Sequence, residues 1–337
     1  MKKHLSRIKL IILLTLFASM FIGFLSCSSV DYIGNENKSS NNNISNNNEI
    51  SIVTYNIKAI YDKEDGHIEK LTDFVKRDKF DFVVFQELFD ESTRDEIIEK
   101  TDTSFYSTII SRVDYNSFPE FIFQDAGLFM MSRFPRIDLS TIDFGDDLNN
   151  SNGVVHTILD KEYSKTNDFL ANKSVMGALY YINDSTQLFL FTTHVQAIGT
   201  TEHKEFQLTQ IKNFIDDIVI TAVNKGITPS TENLIVLLAG DFNSNAYSLD
   251  RFNRLQMLLG NPRDLHKEFN GNKEEYTFAF REGRPSRRFD YIFAYDKIDD
   301  IHLKKIRVIN IGVEDVKDDN GNSISDHIAL KASLSIE

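Results

Sequence analysis

Four apolar runs in this chain each stop on a polar residue of a type that carries chemistry. Residues 50–56 (ISIVTYN) alternate, are rich in β-branched side chains and end at Asn56. Residues 81–87 (DFVVFQE) end at Glu87, 187–194 (QLFLFTTH) at His194 and 234–241 (LIVLLAGD) at Asp241. Runs of this length read as strands, and the nearly continuous apolar ones as strands buried on both faces. Such strands need helices or a second sheet to cover them. Helical spacing recurs between them, at Ile68, Leu71, Phe74 and Val75, over 90–100, and along Phe206, Gln207, Gln210, Ile211, Phe214, Ile215 and Ile218. Further strands are expected over 126–132, 174–182, 289–295, near 303–312 and over 328–336. Strands and helices alternate early and strands crowd the end. The pattern predicts an α/β (α+β) domain of sheets flanked by helices, with polar groups gathered where the strands end.

The first fifty residues are of another kind. Lys2, Lys3, Arg7 and Lys9 precede an apolar run over 10–25, which has the length of a secretory signal and is short for a spanning helix. The run ends Phe24-Leu25-Ser26-Cys27, and Cys27 is the chain's one cysteine. The motif loosely resembles a bacterial lipobox, with Phe24 where Leu or Val is preferred; the competing reading is a Cys buried in an uncleaved anchor. We expect residues 1–26 to be a lipoprotein signal peptide and Cys27 to carry lipid. Residues 27–49 are dominated by Asn and Ser without apolar periodicity, and read as a flexible tether that cannot offset its ordering entropy. The expected protein is an exported bacterial lipoprotein, held at a membrane through Cys27 on the cell surface or in the periplasm.

Residues 50–337 show no internal linker and no fixed-period repeat, so they read as one catalytic-sized domain, expected to be a monomer. A single Cys excludes an internal disulfide framework and a multi-Cys zinc site. A net charge of −13, with no basic run after the first ten residues, argues against tight nonspecific binding of nucleic acid. It does not exclude a metal-dependent nuclease.

The polar strand ends make chemical sense together. Glu87, preceded by Gln86, is a carboxylate of the kind a hard cation such as Mg2+ requires, alongside amide oxygens and waters. Asn56 could add an amide oxygen or hold phosphate. Asp241 and Asn243, in Gly240-Asp241-Phe242-Asn243, place a carboxylate and an amide where both can face one cleft. Ser325-Asp326-His327 sets a carboxylate beside an imidazole, and Asp290, in Arg288-Phe289-Asp290-Tyr291, is well typed to hold that imidazole's other nitrogen. His194 supplies a second imidazole. Two imidazoles, several carboxylates and two amides suit metal-assisted attack of water on a phosphodiester. Each piece alone has a plain structural reading: a solvated strand-end Glu, a satisfied core His, a turn at GDFN, a capping Asp in SDH. Their order carries the weight: TYNIK, FQE, TTHVQ, GDFN, RFDY, SDH.

In that order and spacing, from residue 50 to the end, the sequence resembles the endonuclease/exonuclease/phosphatase superfamily. The resemblance implies a DNase I-like fold, a four-layer α/β/β/α sandwich of two mixed β-sheets flanked by helices. It implies that Asn56 and Glu87 bind catalytic Mg2+, with Mn2+ or Co2+ as substitutes in vitro. It implies that Asp241 and Asn243 contact the attacking water, leaving group and phosphate, that His327 is general base or phosphate stabiliser oriented by Asp290, and that Asp326 lies at the metal or beside the phosphate. Within the superfamily, TTHVQA followed by a Gln-rich helix resembles bacterial neutral sphingomyelinases, where the histidine matching His194 is a second catalytic imidazole. Residues 167–173 (NDFLANK) resemble their D-x-x-A-N-K-G stretch, with Ser174 in place of Gly, and 127–135 (GLFMMSRFP) resemble one of their strand-and-turn segments.

One departure matters. The secreted haemolytic members carry an exposed aromatic hairpin, usually with Trp, before the R-x-D-Y strand. This chain has no Trp, and residues 270–288 are charged. The lipid anchor could supply membrane proximity instead, and the aromatics of 115–123 either touch lipid or pack under a loop. His67, His156, His203, His266 and His302 match no motif and are expected at the surface or in packing. Arg284, Arg287 and Arg288 could meet a phosphate headgroup or form a solvated loop. The acidic loops near Asp146 and Asp318 lack EF-hand spacing. The expected partners are therefore a phospholipid, sphingomyelin first, and a membrane surface, with nucleic acid disfavoured. Two competing readings stand beside this one. One is another hydrolase of the superfamily, a nuclease or an inositol- or sugar-phosphate phosphatase; the other is a surface binding protein on an inactive enzyme fold.

Overall fold

The computed structural model describes residues 31–34, 48–59, 66–101, 104–113, 125–145, 148, 150–161, 171–228, 230–278 and 285–337. The signal peptide, Cys27, the aromatics of 115–123, Asp146, residues 167–170 and Arg284 lie outside them.

In chain order the main elements are β1 (Asp31–Gly34), β2 (Glu49–Ala59), α1 (His67–Asp78), β3 (Phe82–Leu88), α2 (Glu91–Lys100), β4 (Thr108–Arg112), β5 (Phe129–Ser132), β6 (Arg136–Ile137), β7 (Val155–Leu159), β8 (Lys173–Tyr181), β9 (Gln187–His194) and α3 (Thr201–Asn224). They continue with β10 (Leu234–Asp241), α4 (Leu249–Leu258), β11 (Arg263–Asp264), α5 (Leu265–Asn270), β12 (Asp290–Tyr295), β13 (Lys297–Ile298), β14 (Ile301–His302), β15 (Ile306–Glu314) and β16 (Ala329–Ile336). The first sheet runs β1-β4-β5-β3-β2-β16-β15; the second runs β11-β12-β10-β9-β8-β6, with β7 also on β8. Each sheet holds one parallel pair, β2–β3 and β9–β10. Parallel neighbours need a crossover, and α1 and α3 provide them.

Strand parity sorts the side chains into layers. Ile52, Val84, Leu188, Leu190, Ile235, Leu237, Ile292 and Leu330 meet in the core between the sheets. Their neighbours Val53, Tyr55, Val83 and Phe85 face α1 through Leu71, Phe74 and Val75. On the other side Phe189, Phe191, Val236 and Leu238 face α3 through Ile211, Phe214, Ile215 and Ile218. Each such buried side chain contributes roughly 1.5–3 kcal/mol as an upper estimate. The result is the expected four-layer α/β/β/α sandwich.

Two expectations shift. The segment read as a tether includes β1, which pairs antiparallel with β4 through backbone groups that its polar composition does not advertise. The strand expected from 126 begins at Phe129, because the Asp125 carboxylate accepts the Gly127 N–H and shapes a turn first. No helix among the described residues is long and apolar enough to cross a membrane.

Candidate active site

The same parity that fills the core also aims the site. Asn56 continues the inward series of Ile52 and Thr54, Asp241 that of Ile235, Leu237 and Ala239, and His194 that of Leu188, Leu190 and Thr192. Asp290 precedes the inward Ile292 in the same way. At one end of the sandwich all four meet between the sheets, each nearly or fully buried. One step behind them Gln86 bridges the sheets, donating to Thr54 Oγ1 at 3.1 Å and Thr192 Oγ1 at 3.3 Å.

Glu87 is the exception in register. Gln86 faces inward, so a regular strand would turn Glu87 outward. Its left-handed backbone, φ 55°, turns the carboxylate back to the site, a conformation that costs of order 1–3 kcal/mol in a non-glycine residue. Asn56 Nδ2 then donates to Glu87 Oε1 at 2.9 Å and to Asp241 Oδ2 at 3.0 Å. The Asn56 oxygen accepts the Lys58 N–H at 3.2 Å. In this arrangement Asn56 clamps two carboxylates through its nitrogen.

The two imidazoles approach the same oxygen of Asp241, Oδ2. His194 Nε2 lies 3.6 Å from Glu87 Oε1 and 3.8 Å from Asp241 Oδ2, and neither ring nitrogen has a hydrogen-bond partner. Burial, aided by the charges of Lys173 and His327, pushes His194 well below the ordinary imidazole range, so its ring is neutral. His327 Nδ1 meets Asp290 Oδ2 at 2.8 Å, and its Nε2 lies 3.6 Å from Asp241 Oδ2. Burial works against charge on His327, but Asp290 and Asp241 outweigh it and raise its pKa. Burial, with Asp290 adding and His327 opposing, also raises Asp241.

The supporting contacts explain why these groups hold their places. Thr277 Oγ1 accepts the Phe289 and Asp290 N–H groups at 3.0 and 3.1 Å, which fixes the start of β12. Phe278 sets its ring edge-on to His327 at 5.2 Å. Ser325 Oγ donates to the Asn56 carbonyl at 2.7 Å and accepts the His327 N–H at 3.2 Å, tying the SDH loop to β2. Asn243, at φ 47°, donates its backbone N–H to Asp241 Oδ1 at 2.8 Å and its side-chain amide to the Val195 carbonyl at 2.9 Å. Before it, a Cβ on Gly240 (φ 148°) would stand 2.1 Å from the Thr193 carbonyl oxygen, so only glycine fits.

The structure therefore brings Asn56, Glu87, His194, Asp241, Asn243, Asp290 and His327 together. Asp326 is placed differently: its carboxylate pairs with Lys58 Nζ at 2.9 Å, and it belongs to neither compact ligand group. Those groups are Glu87–His194–Asp241 and Asp241–Asp290–His327, each with ligand atoms within 4.8 Å of one another. Carboxylates at this spacing, with a buried imidazole nitrogen that lacks a partner, fit a divalent cation at Glu87 and Asp241.

Sequence reading missed Lys58, Thr277 and the bridging role of Gln86. TYNIK contains Lys58, yet nothing local says that it reaches a residue 268 positions away. Arg288 needs correcting: it is no headgroup ligand in a solvated loop. It is buried, donates to Asp264 at 2.5 and 3.2 Å and lies over the Tyr291 ring. In its loop the Asp318 carboxylate accepts the Asn320 and Asn322 N–H groups at 2.9 and 2.7 Å, and the neighbouring Asp319 pairs with Lys70 of α1. Of the five unassigned histidines, His156 and His266 are buried and His302 is exposed.

Residues 53–327 match the model of the Endonuclease/Exonuclease/phosphatase family. The chain belongs to this family. It is thus a hydrolase of the endonuclease/exonuclease/phosphatase superfamily, whose enzymes use divalent metal ions. A comparison with curated protein sequences gave no match. Among solved structures it is similar to sphingomyelinase C from Streptomyces griseocarneus, at 17% identity over 85% of this chain and 99% of that one, TM-score 0.59. It is similar to the endonuclease/exonuclease/phosphatase from Bacteroides vulgatus at 15% identity, over 86% and 99%, TM-score 0.58. It is also similar to D. rerio TDP2, solved with a single-strand DNA product, at 16% identity, over 85% and 99%, TM-score 0.55. At such identities these likenesses establish the family's DNase I-like fold, and both lipid- and DNA-directed relatives share it.

Proposed function

We propose that this protein is a Mg2+-dependent phospholipase C-type phosphodiesterase that releases phosphocholine and ceramide from sphingomyelin, acting as a surface lipoprotein. The observation that carries the chemistry is the convergence of Glu87, Asn56, Asp241, His194 and His327 at one end of the two sheets. A divalent ion held by Glu87 and Asp241 would neutralise phosphate oxygens as a Lewis acid.

The chain's own residues supply the rest. Asp290 holds His327 Nδ1, so that Nε2 is the free end of the ring: protonated, it steadies phosphate charge, and only in the fraction that is neutral can it take a proton from water. His194, neutral and 3.8 Å from the same Asp241 oxygen, is the imidazole we assign to the leaving-group side. Asn243 is held by Asp241 and Val195 where its amide can steady the phosphate or the water. The choice of sphingomyelin rests on the TTHVQA and D-x-x-A-N-K stretches and on the expected lipid anchor at Cys27, with 1–26 removed and 27–49 linking anchor to domain.

The test is phosphocholine release from sphingomyelin vesicles by the full chain, with Mg2+ and with EDTA. Release in Mg2+ that EDTA abolishes is the expected result. Cleavage of another phosphodiester without release from sphingomyelin would reject the substrate and keep the chemistry. Degradation of plasmid DNA lost in Asp241→Ala would select the nuclease reading.

A further inference from the structure

A cavity opens beside Asn243 between the start of α3 and α4. Phe242, Leu208 and Leu255 form its apolar floor, and Lys204, Arg251 and Arg254 give it three cations against one carboxylate, Glu205. Glu205 is engaged with Arg254 at 2.7 Å, which ties the two helices together. The chain as a whole is strongly acidic, so a cationic lining here is a local departure. Screening confines its influence to about 10 Å at ordinary salt, so the net charge of the far surface does not cancel it.

Exposed apolar side chains recur in the same stretches of chain that line the cavity. Seven large apolar side chains are exposed among the described residues, and Ile158, Tyr181 and Phe269 lie elsewhere in the sequence. The other four each stand within two residues of the cavity lining. Ile198 precedes Gly199, Phe206 follows Glu205, Leu249 lies two before Arg251 and Met257 two after Leu255. Leu249, at 69% exposure, is the most exposed of all seven. Basic residues interleaved with exposed apolar ones are the composition of a surface that lies on a bilayer.

We propose that this rim is the membrane-docking surface of the enzyme, with the cavity taking the headgroup phosphate of an anionic phospholipid next to the substrate. The proposal rests on the phospholipid reading of the site and adds a second, non-substrate lipid to it. Charge complementarity selects an anionic lipid, since the choline group of a zwitterionic one would meet three cations. Because Asn243 belongs both to the cavity and to the catalytic cluster, docking here sets the catalytic opening against the lipid.

The chain has no Trp, so Leu249→Trp makes a single local reporter in the full-length protein. Its emission should shift to the blue and be quenched by brominated lipid in vesicles of phosphatidylcholine with phosphatidylglycerol. The response should need about tenfold more lipid when phosphatidylglycerol is left out, or when Arg251→Glu is added. Tyr181→Trp, exposed beside Gln187 at the end of β9 opposite His194, should respond to neither. The N-terminal basic residues are the same in every variant, so the difference isolates the rim. An unquenched Leu249→Trp, or equal response to both vesicles, overturns the proposal; so does a dimer in solution that Leu249→Ser dissociates, because a second copy then covers the rim. Phosphocholine release is read on sphingomyelin-containing vesicles in parallel. Quenching without release keeps the docking surface and rejects the substrate, and release without quenching does the reverse.

Discussion

Asp241 is the residue through which everything at the site is coupled. It accepts from Asn56 and from Asn243, and both imidazoles approach it within 4 Å. Burial and the neighbouring Asp290 make it hold a proton more tightly than an ordinary carboxylate, and His327 likewise stays protonated beyond the ordinary imidazole range. Protons therefore compete with a dication for this cluster, so affinity for Mn2+ should rise as pH rises through neutrality, with protons released on binding. Titration calorimetry in two buffers of different ionisation heat checks this; equal heats in both would refute it. His194→Ala and His327→Ala should each lower kcat by at least about a hundredfold. Asp290→Asn should lower kcat with little change in KM, since it orients His327 without touching substrate. Steady-state kinetics at fixed metal decide these, and near-normal turnover removes the role assigned.

At the scale of elements, two charge clusters do different kinds of work. Arg288 and Asp264 are both almost fully buried, and Asp264 also caps α5 by accepting the Lys267 N–H. Asp264→Ala leaves a buried guanidinium without its partner and should cost roughly 3–5 kcal/mol. The double change Asp264→Leu with Arg288→Met should cost less than that, which urea unfolding of both variants would show. The second cluster pins the end of α1 to the sheet edge: Lys331 bonds Asp78 and Glu314, and Arg77 bonds the same two carboxylates. Burial works against charge on Asp78 and Glu314, yet the hydrogen bonds from Arg77 and Lys331 prevail and lower both. A lowered carboxylate stabilises above its unfolded pKa and loses that contribution as pH falls through its folded one. Lys331→Met should therefore destabilise by up to about 1 kcal/mol at pH 7 and by less at pH 3, because the pair is partly exposed. Equal losses at the two pH values would contradict the assignment.

On the scale of the whole molecule, cation binding should stabilise the fold, because the cluster joins both sheets. At a hundred times its Kd, Mg2+ should add about 2.7 kcal/mol, read as a rise in Tm that Glu87→Ala removes. No metal-dependent shift would count against the site. The amino-acid sequence by itself determined the long central strands β2, β3, β8, β9, β10, β12, β15 and β16, though not β1, β4 or β7, since alternation and apolar runs are local, and it marked Asn56, Glu87, His194 and Asp241 because each interrupts such a run. It also carried the motif order by which the family is recognised. Only the tertiary structure decided that Asn56 presents its nitrogen, that Asp326 is taken by Lys58 and that Arg288 is buried against the Tyr291 ring. It alone turned Glu87 inward through a left-handed backbone against its strand parity. These outcomes depend on partners far away in the chain, which are chosen when the two sheets pack, and no local periodicity encodes which distant side chain will stand opposite.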